Sequence, residues 1–180
     1  KFNISKNKKI VLYQGKLHGG RGIPQLINLI AQSSLFVGVV VGDGALKNKY
    51  IKQVKSKKIE GRFFFHDKVL YRDLSRLTAS ADIGWALIES RGQSYHYALP
   101  NKLFEYMLAG IPVVCSNLPN MRTLVCDLGA GIVVHKNHNI EKQIKSMTDL
   151  LSRFNARAVI RQTKKKYSWA KTCDHKIFTF

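Results

Sequence analysis

Acid is what this sequence has least of. Its 180 residues hold 11 Asp and Glu against 30 Lys and Arg, a formal net charge of +19. Residues 1–42 contain no acid at all. Such a balance attracts nucleic acid, anionic lipid or phosphorylated ligands without choosing among them. Cysteine is sparse too: Cys115, Cys126 and Cys173 are widely spaced, odd in number and form no CxxC pair. That argues against a zinc site or a disulfide framework and for a reducing compartment. Proline is scarce while 45% of residues are hydrophobic, which excludes a disordered basic tail or a low-complexity linker. Long apolar runs are missing: the longest nearly unbroken one, Leu35 to Gly42, falls far short of the ~20 residues of a membrane span. No charged-then-apolar-then-small pattern opens the chain, so no secretory signal is expected. A chain of this length makes about one domain and buries roughly 70% of its unfolded surface without staples.

What is present alternates. Ile10–Tyr13, Phe36–Val41, Arg62–Phe65, Ile83–Ile88, Ile111–Cys115 and Ile132–Val134 are short apolar runs that read as buried strands. Between them, apolar residues repeat at helical spacing. Ile23, Leu26, Ile27 and Ile30 mark a first helix, with Pro24 near its start, where a missing N–H costs little. Leu46, Tyr50, Ile51 and Val54 mark the next, and Leu70, Leu74 and Leu77 a third. A polar loop is expected from Glu89 to Leu99. Pro100 then opens a helix whose Leu103, Phe104, Met107 and Leu108 should face the core, stopped at Gly110. Met121–Leu128 reads as a helix stopped by Gly129, and the chain from about Asn139 as helix with a basic outer face. Six strands alternating with helices predict an α/β, Rossmann-like three-layer sandwich: a six-stranded parallel sheet with helices on both faces. Ligands of such sheets lie at the carboxyl ends of the strands. Those ends are Gly15–Gly22, Gly42–Gly44, His66–Val69, Glu89–Pro100 and Ser116–Asn120.

These loops carry no G-x-x-x-x-G-K-[ST], no G-x-G-x-x-G after the first strand, no H-E-x-x-H, no G-x-S-x-G and no D-x-D. His135 and His138 read as surface residues, and the six histidines make no ligand spacing. What remains is a Gly-rich first loop with two cations, Lys16 and Arg21, beside a helix start, where backbone N–H groups and the helix dipole favour an anion. On the Pro100 helix, Asn101, Lys102 and Glu105 share a polar face. A carboxylate there can accept from two adjacent hydroxyls, as in a ribose diol. The plain alternative is a Lys102–Glu105 surface pair worth a few tenths of a kcal/mol.

In order along the chain, Gly15-Lys16 and Arg21-Gly22, Gly42-Asp43-Gly44, Ala81-Asp82-Ile83, Glu105-x-Met107-x-x-Gly110-x-Pro112-Val113-Val114 and Tyr167-Ser168-Trp169 resemble the motifs of one family. The chain, from about Lys9 to Trp169, is similar to the C-terminal, nucleotide-sugar-binding half of a retaining, GT-B fold glycosyltransferase of family 4. The resemblance implies roles. Lys16 and Arg21 grip the donor diphosphate and stabilise its charge as it leaves; Glu105 binds the ribose hydroxyls; Gly15 allows close backbone approach. The Gly42 and Gly44 turn and Tyr97 are donor-binding; the loop around His66–Leu70, with His66 and Val69, holds the nucleobase largely through backbone groups; and the loop at Ala98–Lys102, with Asn101 and Lys102, presents amides to the sugar or β-phosphate. The donor is UDP- or GDP-linked, and no metal or other cofactor is expected. The acceptor, a glycan or a lipid-linked one, belongs to an N-terminal domain outside this chain. Residues 1–9 are then the link from it, 10–167 the donor domain and 168–180 a tail. Such a chain binds donor without transferring sugar alone. It works in the cytoplasm, with its surplus charge available for peripheral contact with an anionic membrane.

Two positions depart from the pattern. Tyr97 stands eight residues before Glu105, where the family carries a first Glu that approaches the donor sugar; Asn120 stands where an acid is common. Two other functions are weighed. A basic nucleic-acid-binding α/β protein would show steep salt dependence, but the aromatics sit in apolar strands and helices and no such motif occurs. A GT-B sugar-nucleotide epimerase would convert donor with no acceptor.

Overall fold

The computed structural model describes residues 4–135 and 139–167. His138, Cys173, Ser168-Trp169 and the 168–180 tail, on which some expectations fall, lie outside the described residues, as do residues 1–3 of the expected linker. Six strands, β1 (Lys9–Gln14), β2 (Phe36–Val41), β3 (Phe63–His66), β4 (Ile83–Ala86), β5 (Val113–Ser116) and β6 (Gly131–Val134), form one sheet in the order β3-β2-β1-β4-β5-β6. All pairings are parallel, with β1 running from Lys9 opposite Phe36 to Gln14 opposite Val41. The helices are α1 (Ile23–Gln32), α2 (Lys47–Ser56), α3 (Tyr71–Ala79), α4 (Gln93–His96), α5 (Asn101–Leu108), α6 (Pro119–Asp127), α7 (Ile140–Arg153) and α8 (Ala156–Tyr167).

Parallel strands covered on both faces are apolar throughout, and alternate residues feed two cores. Val11, Tyr13, Val40 and Trp85 pack against α1, α2 and α7; Leu12, Val39, Val113 and Cys115 pack against α5, α6 and α8. Gly84 lets α5 come close, since a Cβ there would sit 2.3 Å from the Tyr106 ring. At the start of β1 the Asp82 carboxylate accepts from Ile10 N (2.8 Å) and Lys9 Nζ (3.0 Å), which ties the strand to the turn before β4. The strand order reverses between β1 and β4. Their carboxyl ends, Gln14 and Ala86, therefore flank the crevice where such sheets bind ligands.

The structure corrects four local expectations. Leu70 precedes α3 and is 60% exposed, and Thr78 is the buried residue of that helix. Leu108 is 45% exposed while Tyr106 is fully buried; the hydroxyl of Tyr106 finds backbone partners, which makes its burial cheap. The Glu89–Leu99 segment contains the short helix α4. The basic C-terminal stretch is two helices, broken at Phe154, whose extended backbone (ψ 126) ends α7. Among the described residues Cys115 and Cys126 are free thiols, and no helix is long and apolar enough to cross a membrane.

Candidate functional site

The crevice is built from backbone first. Gly15 N donates to Val41 O, Leu17 N to Asp43 O and Gly42 N to His66 O, at 2.9–3.0 Å, so the loops after β1, β2 and β3 are laced together. Gly42 is required here. Its φ is 142°, and a Cβ would fall 2.0 Å from the carbonyl oxygen of Gly15. The result is a cavity of about 590 Å³ lined by Gly15, Lys16, Gly42, Gly44, Val69 and Glu105, with Gln14 and Lys68 on its walls. Six of the residues selected from sequence thus share one cavity.

Glu105 is aimed by a buried polar relay. Gln14, at the last position of β1, donates through Nε2 to Glu105 Oε2 and accepts through Oε1 from the Thr78 hydroxyl (2.8 Å). The Tyr106 hydroxyl accepts from Gln14 N and donates to Leu12 O, both at 3.1 Å. The Gln14 side-chain amide, the Thr78 hydroxyl and the Tyr106 hydroxyl all have partners, so the cluster rigidifies the carboxylate rather than weakening the core. Sequence alone does not single out Gln14, because a glutamine ending an apolar strand looks like a solvent-facing edge. Its burial depends on residues 64 and 91 positions away.

Lys102, one turn before Glu105, does not pair with it among the described residues. Its ammonium instead lies 3.8 Å from the centre of the Tyr13 ring, beside Gly15. Burial lowers the Lys102 amine to about 7; the Arg21 charge pushes the same way and Glu105 opposes. Burial likewise pushes the Tyr13 phenol up to about 12, against the pull of Arg21. Tyr13 donates to Lys16 O (2.8 Å) and so holds the loop that carries the exposed Lys16.

Arg21 does not line the cavity. It is half-buried, its Nε donating to His18 Nε2 (3.1 Å) and its guanidinium 5.6 Å from the centre of the Tyr95 ring. His18 Nδ1 lies 3.0 Å from Gly19 O, which suits the tautomer that leaves Nε2 free to accept. Arg21 nonetheless adjoins the start of α1, whose first residues lack helical acceptors for their N–H groups. His66 ends β3, exposed, with Nδ1 2.8 Å from Asp67 O; its carbonyl, rather than its ring, buttresses Gly42. Asn101 is exposed at the first turn of α5. Tyr97 is 59% exposed, edge-on to His96, and its carbonyl accepts from Asn120 Nδ2 (2.7 Å). Neither Asn101 nor Tyr97 lines the cavity. Among the described residues no three His, Cys, Asp or Glu side chains cluster as a metal site would need.

The fold has known counterparts. Comparison with curated protein sequences gives no match. Among solved structures, sucrose-phosphate synthase from Thermosynechococcus elongatus superposes with a TM-score of 0.80 at 18% identity over 94% of this chain and 44% of its own. Anabaena Alr3699/HepE in complex with UDP and glucose gives 0.62 at 21% identity over 90% and 48%. The catalytic domain of cholesterol-alpha-glucosyltransferase from Helicobacter pylori gives 0.68 at 13% identity over 87% and 98%. The chain spans under half the length of the first two. At these identities the likeness concerns the fold. Membership rests on sequence: the model of the glycosyl transferases group 1 family matches residues 1–167, and the chain belongs to that family.

Proposed function

We propose that the chain is the donor-binding half of a retaining, metal-independent glycosyltransferase of family 4, which takes a UDP- or GDP-linked sugar and passes it to a glycan or lipid-linked acceptor. One observation carries the reading: Gly15, Lys16, Gly42, Gly44 and Glu105 line one cavity at the carboxyl ends of β1 and β2, with Glu105 held from behind by Gln14. The nucleoside occupies the side of Val69 and Lys68, its ribose diol on Glu105, and the diphosphate lies across Gly15 towards the start of α1. Lys16, Lys102 and Arg21 supply positive charge where the leaving diphosphate gathers negative charge as the anomeric bond breaks. Several of the matched solved structures, sucrose-phosphate synthase and Alr3699/HepE among them, are about twice its length or more, which fits an acceptor-binding domain elsewhere in the working enzyme. The cytoplasmic face of a membrane, with its anionic lipid, suits a lipid-linked acceptor and this charge balance.

The test is a comparison of UDP and GDP with their 2′-deoxy forms by calorimetry. The ribose form should bind better by about five- to tenfold, the worth of one hydrogen bond to a charged group. Glu105→Gln should erase most of that preference while the variant melts as the wild type does. Equal binding of both forms by the wild-type chain removes Glu105 from the ribose.

A further inference from the structure

The loop from Leu17 to Gly22 is pinned nearly residue by residue. Leu17 is fully buried, its N donating to Asp43 O and its O accepting from Leu46 N. His18 O accepts from the Tyr50 hydroxyl (3.2 Å), Gly20 O from Glu89 N (3.0 Å) and Gly22 O from Trp85 Nε1 (2.8 Å). Arg91 lies over the two central glycines so closely that a Cβ on Gly19 or Gly20 would fall 2.8–2.9 Å from its guanidinium nitrogens. Backbone held this firmly gives the Arg21 side chain a fixed root.

The side chain itself is held twice, each time by a neutral group. Its Nε donates to His18 Nε2 (3.1 Å), and its guanidinium stands 5.6 Å from the centre of the Tyr95 ring, which packs half-buried against the core. Nε is the one Arg21 nitrogen with a hydrogen bond among the described residues. The two terminal nitrogens, the fork that grips a phosphate bidentately, therefore stay open. Arg91 on the facing segment shows the contrast. Glu89 takes its Nε (3.0 Å) and Nη2 (2.7 Å) and cancels its charge. A carboxylate in place of His18 would hold Arg21 more tightly but would cancel the charge that a phosphate needs. An accepting imidazole and a ring face fix the side chain and leave its charge whole. That charge is felt in the cleft: burial does most to lower the Lys102 amine, and Arg21 adds to it, although Arg21 is not among the lining residues.

We infer that His18 is a positioning residue of the donor site: its imidazole holds Arg21 with the charge intact and the fork turned to the terminal phosphate of a nucleoside diphosphate. This role rests on the donor reading above and extends it to a residue outside the cleft lining. A guanidinium that is already held loses less rotamer freedom on binding, which is worth about three- to tenfold in affinity.

The experiment pairs calorimetry with NMR of the ¹⁵N-labelled chain at pH 7. UDP is compared with UMP, and GDP with GMP, in the wild type, His18→Ala and His18→Gln. In one pair the diphosphate should bind about tenfold tighter than the monophosphate or better, the worth of a charged hydrogen bond. His18→Ala should weaken that diphosphate about three- to tenfold and leave the monophosphate unmoved. His18→Gln, whose Oε1 stands where Nε2 stood, should restore it. A scalar coupling between Arg21 Nε and His18 Nε2 reads the bond directly in the wild type, with no variant needed, and should persist with the diphosphate bound. Absence of that coupling, its loss on binding, equal weakening of mono- and diphosphate in His18→Ala, or failure of His18→Gln to restore the affinity overturns the role. Tight diphosphate binding that ignores His18→Ala sinks this role alone. No binding of any nucleotide by the wild type sinks the donor reading, and this role with it.

Discussion

On the proposed reading, Lys102 makes donor binding pH-sensitive in a direction that can be worked out beforehand. Its amine sits near 7 because burial and Arg21 disfavour the ammonium. A diphosphate arriving beside it favours the ammonium, so binding above pH 7 must draw in a proton. The Kd for UDP should then rise about tenfold per pH unit from pH 7 towards 9. The rise is capped by the worth of one charged hydrogen bond to phosphate, about 1.5–3 kcal/mol, or roughly ten- to hundredfold in all. Calorimetry from pH 6 to 9, in pairs of buffers with different ionisation enthalpies, reads both the Kd and the proton uptake. Lys102→Met should bind as weakly at pH 6 as the wild type does at pH 9, with a flat profile and no proton uptake. The same group has a stability signature. Between about 7 and the ordinary lysine value the unfolded chain holds the extra proton, so this contribution to stability rises with pH and is least below pH 7. Lys102→Met should therefore melt higher than wild type at pH 6, with the gap closing towards pH 9. A UDP affinity that is level from pH 7 to 9 in the wild type refutes the reasoning.

Other substitutions read separate parts of the structure. Gly42→Ala forces a Cβ against the Gly15 carbonyl at a φ that alanine rarely adopts, and should cost over ~1 kcal/mol by urea unfolding along with the nucleotide response. Tyr106→Phe leaves Gln14 N and Leu12 O without their bridge, and should cost about 1–3 kcal/mol with little change in fold by circular dichroism. Asp82→Ala strands Ile10 N and Lys9, and should lower the melting temperature by about 2–4 °C for each kcal/mol lost, less in high salt for the Lys9 share.

Much of the architecture was legible because its signals are local. Phe36–Val41 is an unbroken apolar run bounded by Gly42, and the strand observed has those same ends. Gly15, Lys16, Gly42, Gly44 and Glu105 could be picked out as glycine turns and charges at strand and helix ends, and one cavity gathers them. Non-local burial was what stayed hidden. Gln14 takes its meaning from Thr78 and Glu105, and Tyr106 from backbone on β1. Leu108 obeyed the helix period on paper but falls at the edge of the packed stripe, where α5 meets solvent.

Donor binding is read most directly from where a nucleoside diphosphate touches the chain. Titration of UDP and GDP into the ¹⁵N-labelled chain at pH 6.5 reads this residue by residue. The backbone amides of Gly15, Gly42, Gly44 and Val69 should move together with one of the two nucleotides and saturate, with Glu105→Gln shifting the curve. Movement confined to the lysine-rich face of α2, or no saturable movement with either nucleotide, would contradict the central claim that this cleft holds a sugar-nucleotide donor.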